Sequence, residues 1–363
     1  MIEWEDVYKV VVAMTPLYVA LGLGYGSVKW WNIFTPDQCT AINLLVSFFT
    51  LPLFTFEFAA NIDPFQMNYR FIAADAISKV LIVLVLVAWA KCSGKGSYGW
   101  SITNFCLSTL TNSLVVGVPL LKAMYGHIGQ DLVVQSSVVQ AIVWLTILLF
   151  VLELREARCS YSSGTDGTTT KDQLEAGNND DVIISTSTAM NNNISGTRPS
   201  VWAVTKIVWV KLALNPNSYA SIVGVAWAFI SARWHFAMPT IVEGSILVMS
   251  RAGTGMAMFS MGLFMALQEK LVACGPSLTL IGMVLRFIAG PAAMAIGSIA
   301  VGLHGSVLRV AIIQAALPQS ITSFIYAREY GLHADVLSTA VIFGMLVSLP
   351  VLIGYYWALG FLN

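Results

Sequence analysis

Charge is scarce in this chain of 363 residues: Asp, Glu, Lys and Arg together make up 10% of it, as 19 acidic and 19 basic residues. A typical soluble domain carries about 25% charged residues. The hydrophobic fraction is 57% and the mean hydropathy is +0.74. Long apolar runs separated by short polar joints therefore predict a polytopic membrane protein. The same composition excludes a nucleic-acid-binding protein with a basic face.

Catalytic and metal-binding motifs are also lacking. The five cysteines occur singly, without a CxxC pair, which is typical of reduced, structural cysteines. The four histidines share no ligand spacing, and the sequence contains no GxSxG, HExxH, P-loop or dinucleotide-binding fingerprint. The sequence therefore predicts no enzyme, no metal site and no cofactor.

Long apolar segments, by contrast, are abundant. A membrane-spanning helix needs about 20 mainly apolar residues. The first such segment follows an acidic start, MIEWED, rather than the basic region of a secretory signal, so we expect it to remain as a helix. The sequence therefore predicts an all-α bundle of ten spans. The spans are 7–28, 39–59, 71–91, 101–121, 132–153, 216–234, 241–267, 276–300, 307–328 and 335–361.

A polar segment, 154–206, divides the ten spans into five and five. It holds 11 charges in 53 residues and few large apolar groups, a composition that favours a disordered linker. The predicted domains are a first repeat (1–153), this linker, and a second repeat (207–363). The stretch VWAVTKIVWVKLAL (201–214) is typical of an amphipathic helix at the membrane interface, and an early start to span six is the alternative.

The basic residues in the connections predict the orientation. The side that holds both termini has five Lys and Arg residues, and the side that holds the linker has eleven. Because cytoplasmic loops carry the excess of Lys and Arg, we expect a cytosolic linker and non-cytosolic termini. The sequon at Asn193 would then stay unglycosylated.

The two halves resemble each other. Tyr125-Gly126 and Tyr330-Gly331 are 205 residues apart, and so are Phe54-Thr55 and Phe259-Ser260. Each half has an odd number of spans, so the two halves take opposite orientations. Such inverted repeats are the architecture of many secondary transporters.

Spans four and nine are a matching pair of interrupted segments. Span four contains Thr111, Asn112 and Pro119, and span nine contains Pro318. Proline breaks the helical hydrogen-bond ladder, so we expect helix breaks involving Thr111, Pro119 and Pro318. The N-termini of the resulting half-helices would direct partial positive charge at an anion. A pair of kinked helices packed through small residues is the alternative.

Charged residues at membrane depth are few. Asp75 and Lys79 lie four apart on span three and therefore share one helix face. They are either a pair that supports the transport site or a neutralised structural ion pair. Arg286 on span eight has no acid in its own helix and needs a partner elsewhere.

Long stretches of the chain resemble the plant PIN-FORMED auxin carriers. They are QAALPQSITSFIYAREYGLHADVLSTAVIFGMLVSLP (314–350), GMAMFSMGLFMALQEKLVACG (255–275), NPNSYAS (215–221) and the opening DVYKVVVAMTPLYVALGLGYGSVKWW. The resemblance covers both halves, and the short linker is similar to that of the endoplasmic-reticulum type.

The resemblance implies a function. The substrate would be the indole-3-acetate anion, or a related small aromatic carboxylate, moved out of the cytosol without an obligatory sodium or proton partner. The fold would be the five-plus-five inverted repeat shared with bile-acid and sodium/proton transporters. Spans one, two, six and seven would form the scaffold of a homodimer in the lipid bilayer, while the other spans move as an elevator.

The resemblance also implies site residues. Asn112 would bind the carboxylate beside the crossover of spans four and nine, and Asp75 with Lys79 matches the charged pair of the family. Most members have proline where this chain has Thr111 and Ser323, and a common tyrosine is Leu145 here. The residues around the ligand would be Leu51, Thr55, Gln140, Leu145, Asn217, Ile321 and Ser323.

Two other functions stay open at this point. One is an ion-coupled carrier of another organic anion, with Asp75 as the coupling group. The other is a membrane receptor that binds auxin without moving it, against which the matched interruptions of spans four and nine argue.

Overall fold

The computed structural model describes residues 4–92, 97–165, 201–268, 270 and 272–361, and the structural statements below concern this part of the chain. Its regular structure is helical, apart from one isolated β-bridge. Seven helical segments are long and apolar enough to cross a membrane. These features confirm the predicted all-α polytopic membrane protein.

The first half contains α-helices joined in three places by π-helical turns. The turns are Val46–Thr50, Ser113–Gly117 and Gln140–Trp144. The helices are α1 (Trp4–Lys29), α2 (Pro36–Leu45), α3 (Leu51–Ala60), α4 (Tyr69–Cys92), α5 (Tyr98–Thr109), α6 (Val118–Val139) and α7 (Leu145–Thr165).

The second half has a similar succession, with one π-helical turn at Leu285–Ala289. Its helices are α8 (Val201–Leu214), α9 (Pro216–Trp234), α10 (Thr240–Leu267), α11 (Pro276–Val284), α12 (Gly290–Ala300), α13 (Gly305–Ala315), α14 (Ile321–Glu329) and α15 (Ala334–Leu359). Helix α8 is separate from α9, because Asn215 between them has an extended backbone and its side chain caps α9.

The proposed repeat has a counterpart in backbone geometry. Gly126 interrupts α6 with a φ of 66°, and Gly331 follows α14 with a φ of 57°. A positive φ is accessible to glycine at little steric cost. The two glycines are 205 residues apart, so positions with the same offset in the two halves both have a glycine with a positive φ.

The ends of the predicted linker are helical, which corrects its boundaries. Helix α7 continues to Thr165 and α8 begins at Val201, whereas the linker was expected over 154–206. The segment LREAR at its start is rich in helix-forming residues, so the helix of span five continues beyond the apolar run. The rest of the predicted linker, 166–200, lies outside the described residues.

Two groups of helices pack closely. Helix α1 runs along α10, and α3 packs on both α9 and α10. Elsewhere α4 packs on α12, and α13 on α6 and α12. The first group contains the spans that the resemblance assigns to a scaffold, and the second contains spans assigned to a transport bundle.

The contact of α1 with α10 depends on glycine. A Cβ atom at Gly24 would lie 2.1 Å from the Phe259 carbonyl oxygen, and one at Gly262 would lie 2.1 Å from the Leu21 carbonyl oxygen. These distances leave no space for a methyl group, so the two backbones touch directly. Small residues that allow such close approach are typical of membrane helix interfaces.

Replacing Gly24 by alanine is therefore expected to destabilise the protein by about 1–3 kcal/mol, the usual cost of overpacking. Gly22→Ala is the matched control on the same helix, because nothing lies within 4 Å of a Cβ atom there. Thermal unfolding of the purified protein in detergent measures the difference. Equal midpoints for the two variants would contradict the direct α1–α10 contact.

Candidate functional site

The two interrupted helices meet at their breaks. Helix α5 ends at Thr109 and α13 at Ala315, and short unwound segments follow both. The Asn112 amide donates to the Pro318 carbonyl at 2.9 Å, and the Ser320 amide donates to the Leu110 carbonyl at 3.2 Å. Thr111 and Gln319 form an antiparallel β-bridge between these bonds. Each unwound segment thereby provides hydrogen-bond partners for backbone amides and carbonyls that have no helical partner in the other segment.

Gln140 fixes the first unwound segment. Its side-chain oxygen accepts from the Thr111 amide and hydroxyl, both at 3.1 Å, and its side-chain nitrogen donates to the Thr111 carbonyl at 2.9 Å. Gln140 begins the π-helical turn Gln140–Trp144, and such turns are frequent at functional sites. The resemblance implies Gln140 as a ligand contact, and in the structure its side-chain amide holds the unwound segment at Thr111.

A second glutamine extends this polar network. Gln314 donates to the Ser136 hydroxyl at 2.6 Å and faces the Ser113 hydroxyl at 3.5 Å. Ser113 in turn contacts the Thr111 hydroxyl at 2.5 Å. The network ties α13 to α6, so side chains from both halves support the crossover. Hydrogen bonding also allows these polar groups to be buried.

Asn112 differs from its neighbours. Its backbone carbonyl accepts from the amides of Val116 and Gly117, so the residue stands at the start of the following helical segment. Its side chain is only partly buried and has no hydrogen-bond partner within the described part of the chain. The carboxamide therefore remains available to a ligand.

Two half-helices begin at the crossover. One starts after Asn112, and the other is α14, which starts at Ile321 after the capping residue Ser320. A helix N-terminus has amides without intrahelical partners and carries a partial positive charge. Both N-termini therefore favour an anion beside the Asn112 carboxamide.

A polar pair from the other group of helices was also predicted at the site. The Thr55 hydroxyl of α3 donates to the Asn217 side-chain oxygen of α9 at 2.5 Å. Leu51 lies one turn earlier on α3, is partly buried and packs against the core. These three predicted residues thus occupy neighbouring helices of the α1–α3–α9–α10 group.

Other predicted contacts are engaged within the protein. Leu145 belongs to a buried apolar cluster, and Ile321 is partly buried against another. Ser323 is fully buried; its hydroxyl donates to the Ser320 carbonyl at 2.6 Å and accepts from Gln319 at 2.8 Å. The role of these residues as ligand contacts remains a prediction.

The predicted helix-breaking residues divide into two groups. Thr111 and Pro318 lie in the unwound segments, as expected. Pro119 does not break its helix, because the helical segment that begins at Ser113 continues through the π-helical turn Ser113–Gly117 into α6.

The buried charged pair of α4 has a third member. Lys79 contacts Asp75 at 2.7 Å, and both residues are buried. The Trp144 indole nitrogen donates to the same Asp75 oxygen at 3.2 Å, and the Lys79 ammonium lies 4.9 Å from the centre of the Trp144 ring. Trp144 lies in the apolar run of predicted span five, and no feature of the sequence indicates its bond to Asp75.

A second charged cluster joins α8 to the middle of α7 and to the end of α14. Lys211 contacts Glu153 at 2.5 Å and Glu329 at 3.1 Å, and it donates to the Tyr330 hydroxyl at 2.8 Å. Burial lowers the pKa of Lys211, but its bond to Glu153 and the nearby Glu329 outweigh this effect and raise the pKa above its usual range. The helix that follows the predicted linker is thus tied to both halves through a charged lysine.

Two broken helices that cross inside an apolar bundle, with an available carboxamide beside their N-termini, are typical of a secondary membrane transporter. Residues 9–356 match the model of a family described as Membrane transport protein, and the chain belongs to this family.

Curated relatives match along the whole chain. Auxin efflux carrier component 5 of Arabidopsis thaliana is 68% identical over 363 residues, covering 100% of both chains. Probable auxin efflux carrier component 5a of Oryza sativa subsp. japonica is 63% identical, covering 98% of each chain. Auxin efflux carrier component 8 of Arabidopsis thaliana is 40% identical, covering 99% of this chain and 100% of the relative.

Proposed function

We propose that this protein carries the indole-3-acetate anion out of the cytosol across an internal membrane. The observation that carries the proposal is the Asn112 carboxamide, which has no partner within the described residues. Asn112 precedes one half-helix, and its backbone amide bonds to Pro318, three residues before the other half-helix begins. Relatives that match the full length of the chain bear the name auxin efflux carrier, which supports the substrate class.

The proposed binding mode divides the ligand into two parts. The carboxylate would bind the Asn112 carboxamide and the amides of the half-helix N-termini. The indole ring would lie among apolar side chains such as Leu51 and Ile321, both partly buried. Partial charges hold an anion less tightly than a full ion pair at contact distance, and a carrier must also release its substrate.

The proposed movement is of the elevator type. Helices α1, α3, α9 and α10 would form a fixed scaffold and a homodimer contact, and the bundle that contains the crossover would move against them. The close glycine contact of α1 with α10 supports a rigid scaffold. Bonds between the two breaks support a crossover that moves as one unit.

The proposed compartment is the endoplasmic reticulum, with a cytosolic linker between two five-span inverted repeats and both termini in the lumen. The excess of Lys and Arg on the linker side supports this orientation. Glycosylation of Asn193, in the linker, would contradict it. Asn193 itself lies outside the described residues.

Reconstitution of the purified protein into proteoliposomes tests the transport activity. We expect uptake of labelled indole-3-acetate that follows an imposed membrane potential and persists when sodium and proton gradients are collapsed. Loss of uptake on collapse of an ion gradient, with the potential maintained, would instead indicate an ion-coupled carrier. Retained binding with zero flux would indicate a receptor, and protein-free liposomes are the control.

A further inference from the structure

Arg286 is the largest of the fully buried side chains in the described residues, with 0% of its surface exposed. It lies in the π-helical turn between α11 and α12. Its guanidinium donates to the carbonyls of Leu317 at 2.6 Å and Ala315 at 2.8 Å, and to those of Leu107 and Leu110 at 3.3 Å. A single side chain therefore contacts both broken helices.

The four carbonyls share one property. Leu107 and Leu110 stand at the end of α5, and Ala315 and Leu317 at the end of α13. A helix C-terminus has carbonyls without partners and carries a partial negative charge. Arg286 donates hydrogen bonds to carbonyls at the C-termini of both α5 and α13, and so balances their partial negative charge. The partial positive charge at the N-termini of the two half-helices has no such balancing group among these contacts.

Arg286 has no carboxylate partner in the part of the chain that the structure describes. The acid at similar depth, Asp75, is bonded to Lys79 and Trp144. An arginine remains protonated in proteins. The buried charges of Asp75, Lys79 and Arg286 around the crossover therefore sum to plus one, and neutral carbonyls orient the charge of Arg286 without cancelling it.

The two repeats differ at this point. Lys79 corresponds to Arg286 with an offset of 207 residues, and the same offset places Gly282 where the first repeat has Asp75. The first repeat thus neutralises its cation within one helix, and the second does not. A Cβ atom at Gly282 would have its nearest neighbour, a Leu107 methyl group, at 3.8 Å, so a side chain can begin there without a clash.

We propose that Arg286 is the positioning residue that supplies the counter-charge for the substrate carboxylate, through the field it creates at the crossover rather than by contact. The inference rests on the proposed function. The charges of Asp75, Lys79, Arg286 and the bound carboxylate then sum to zero, and the three protein charges alone sum to plus one. Membrane potential therefore acts on the return of the empty carrier, and exchange of internal for external anion is insensitive to it.

Two ligands and four variants test this inference. Indole-3-acetate and its neutral isostere indole-3-acetamide are titrated against folded wild type, Arg286→Gln, Arg286→Lys, Gly282→Asp and Gly282→Ala. We expect Arg286→Gln to lower the affinity for the anion at least about tenfold relative to the amide, and Arg286→Lys to retain most of the discrimination. Gly282→Asp, which offers Arg286 a carboxylate, should mimic Arg286→Gln, and Gly282→Ala should match wild type.

The outcomes separate the two proposals. Equal losses for both ligands in Arg286→Gln and Arg286→Lys would show that Arg286 only holds the helix ends, and this result overturns the inference. Wild-type discrimination in folded Arg286→Gln overturns it as well. If Arg286→Gln does not fold, the test is made with Arg286 in place. The preference for the anion over the amide is then compared between Gly282→Asp and Gly282→Ala, and equal preferences overturn the inference. Wild type that binds neither ligand would instead refute the proposed function.

Exchange across proteoliposomes provides a second readout. With indole-3-acetate on both sides, wild-type exchange should not change when a potential is imposed, whereas net efflux into anion-free medium should. Exchange by Arg286→Gln should become sensitive to potential, because its loaded bundle carries the negative charge of the substrate. Voltage-sensitive exchange in wild type would overturn the inference.

Discussion

Replacing Asn112 by alanine is expected to lower indole-3-acetate flux at least about tenfold at equal protein level, the loss that follows from removing a hydrogen bond to a charged group. The substitution deletes a carboxamide that has no partner within the described residues, so it breaks no side-chain bond of the protein. Initial rates in proteoliposomes, with a thermal unfolding midpoint for each variant, measure the effect.

Two further variants sharpen this experiment. Asn112→Asp keeps the shape but sets a carboxylate against the substrate carboxylate, so its loss should be at least as large as that of alanine. Asn61→Ala is the matched control, because Asn61 is exposed at the end of α3 and bonds only locally, to the Glu57 carbonyl. Unchanged flux in Asn112→Ala would refute the assignment of the site.

Replacing Lys79 by methionine is expected to destabilise the protein by about 3–5 kcal/mol, because it leaves the Asp75 carboxylate buried without its counter-ion. Of the two side chains that bond to the Asp75 carboxylate in the described residues, only the Trp144 indole would then remain. The double variant Asp75→Asn/Lys79→Met should recover most of the stability, since asparagine keeps an acceptor for the indole. Unfolding of the single and double variants in detergent measures the coupling.

The same variants separate the two interpretations of this pair. If the double variant regains both stability and flux, the pair is a structural lock of α4. If it regains stability without flux, the charges take part in transport. A Lys79→Met protein as stable as wild type would contradict the buried geometry of the pair.

The positions of the breaks show how far sequence reasoning reaches. Proline and small polar residues in spans four and nine predicted that these helices would be interrupted, and the structure brings the two interruptions together. The sequence predicted breaks at both Thr111 and Pro119, and it did not show that the helix opens at Thr111 and continues through Pro119, eight residues later. The break is stabilised by Pro318 and Gln140, which are distant in sequence, and local propensity contains no information about such partners.

Residues in the middle of apolar spans were harder to assign. Gln140, Trp144 and Arg286 lie within apolar predicted spans, and each has its partner in another predicted span. A periodic pattern fixes which face of a helix is apolar but not which atom a buried polar group will meet. The sequence therefore identifies a polar residue within an apolar span, whereas its hydrogen-bond partner follows only from the three-dimensional structure.

The backbone bonds between the two breaks make the two halves of the chain depend on each other. The Leu110 carbonyl and the Asn112 amide of the first half are satisfied by Ser320 and Pro318 of the second half. The first half inserted alone would present these groups to hydrocarbon, at a cost of several kcal/mol for each. Correct insertion of the first break therefore requires that the second half be synthesised and packed against it.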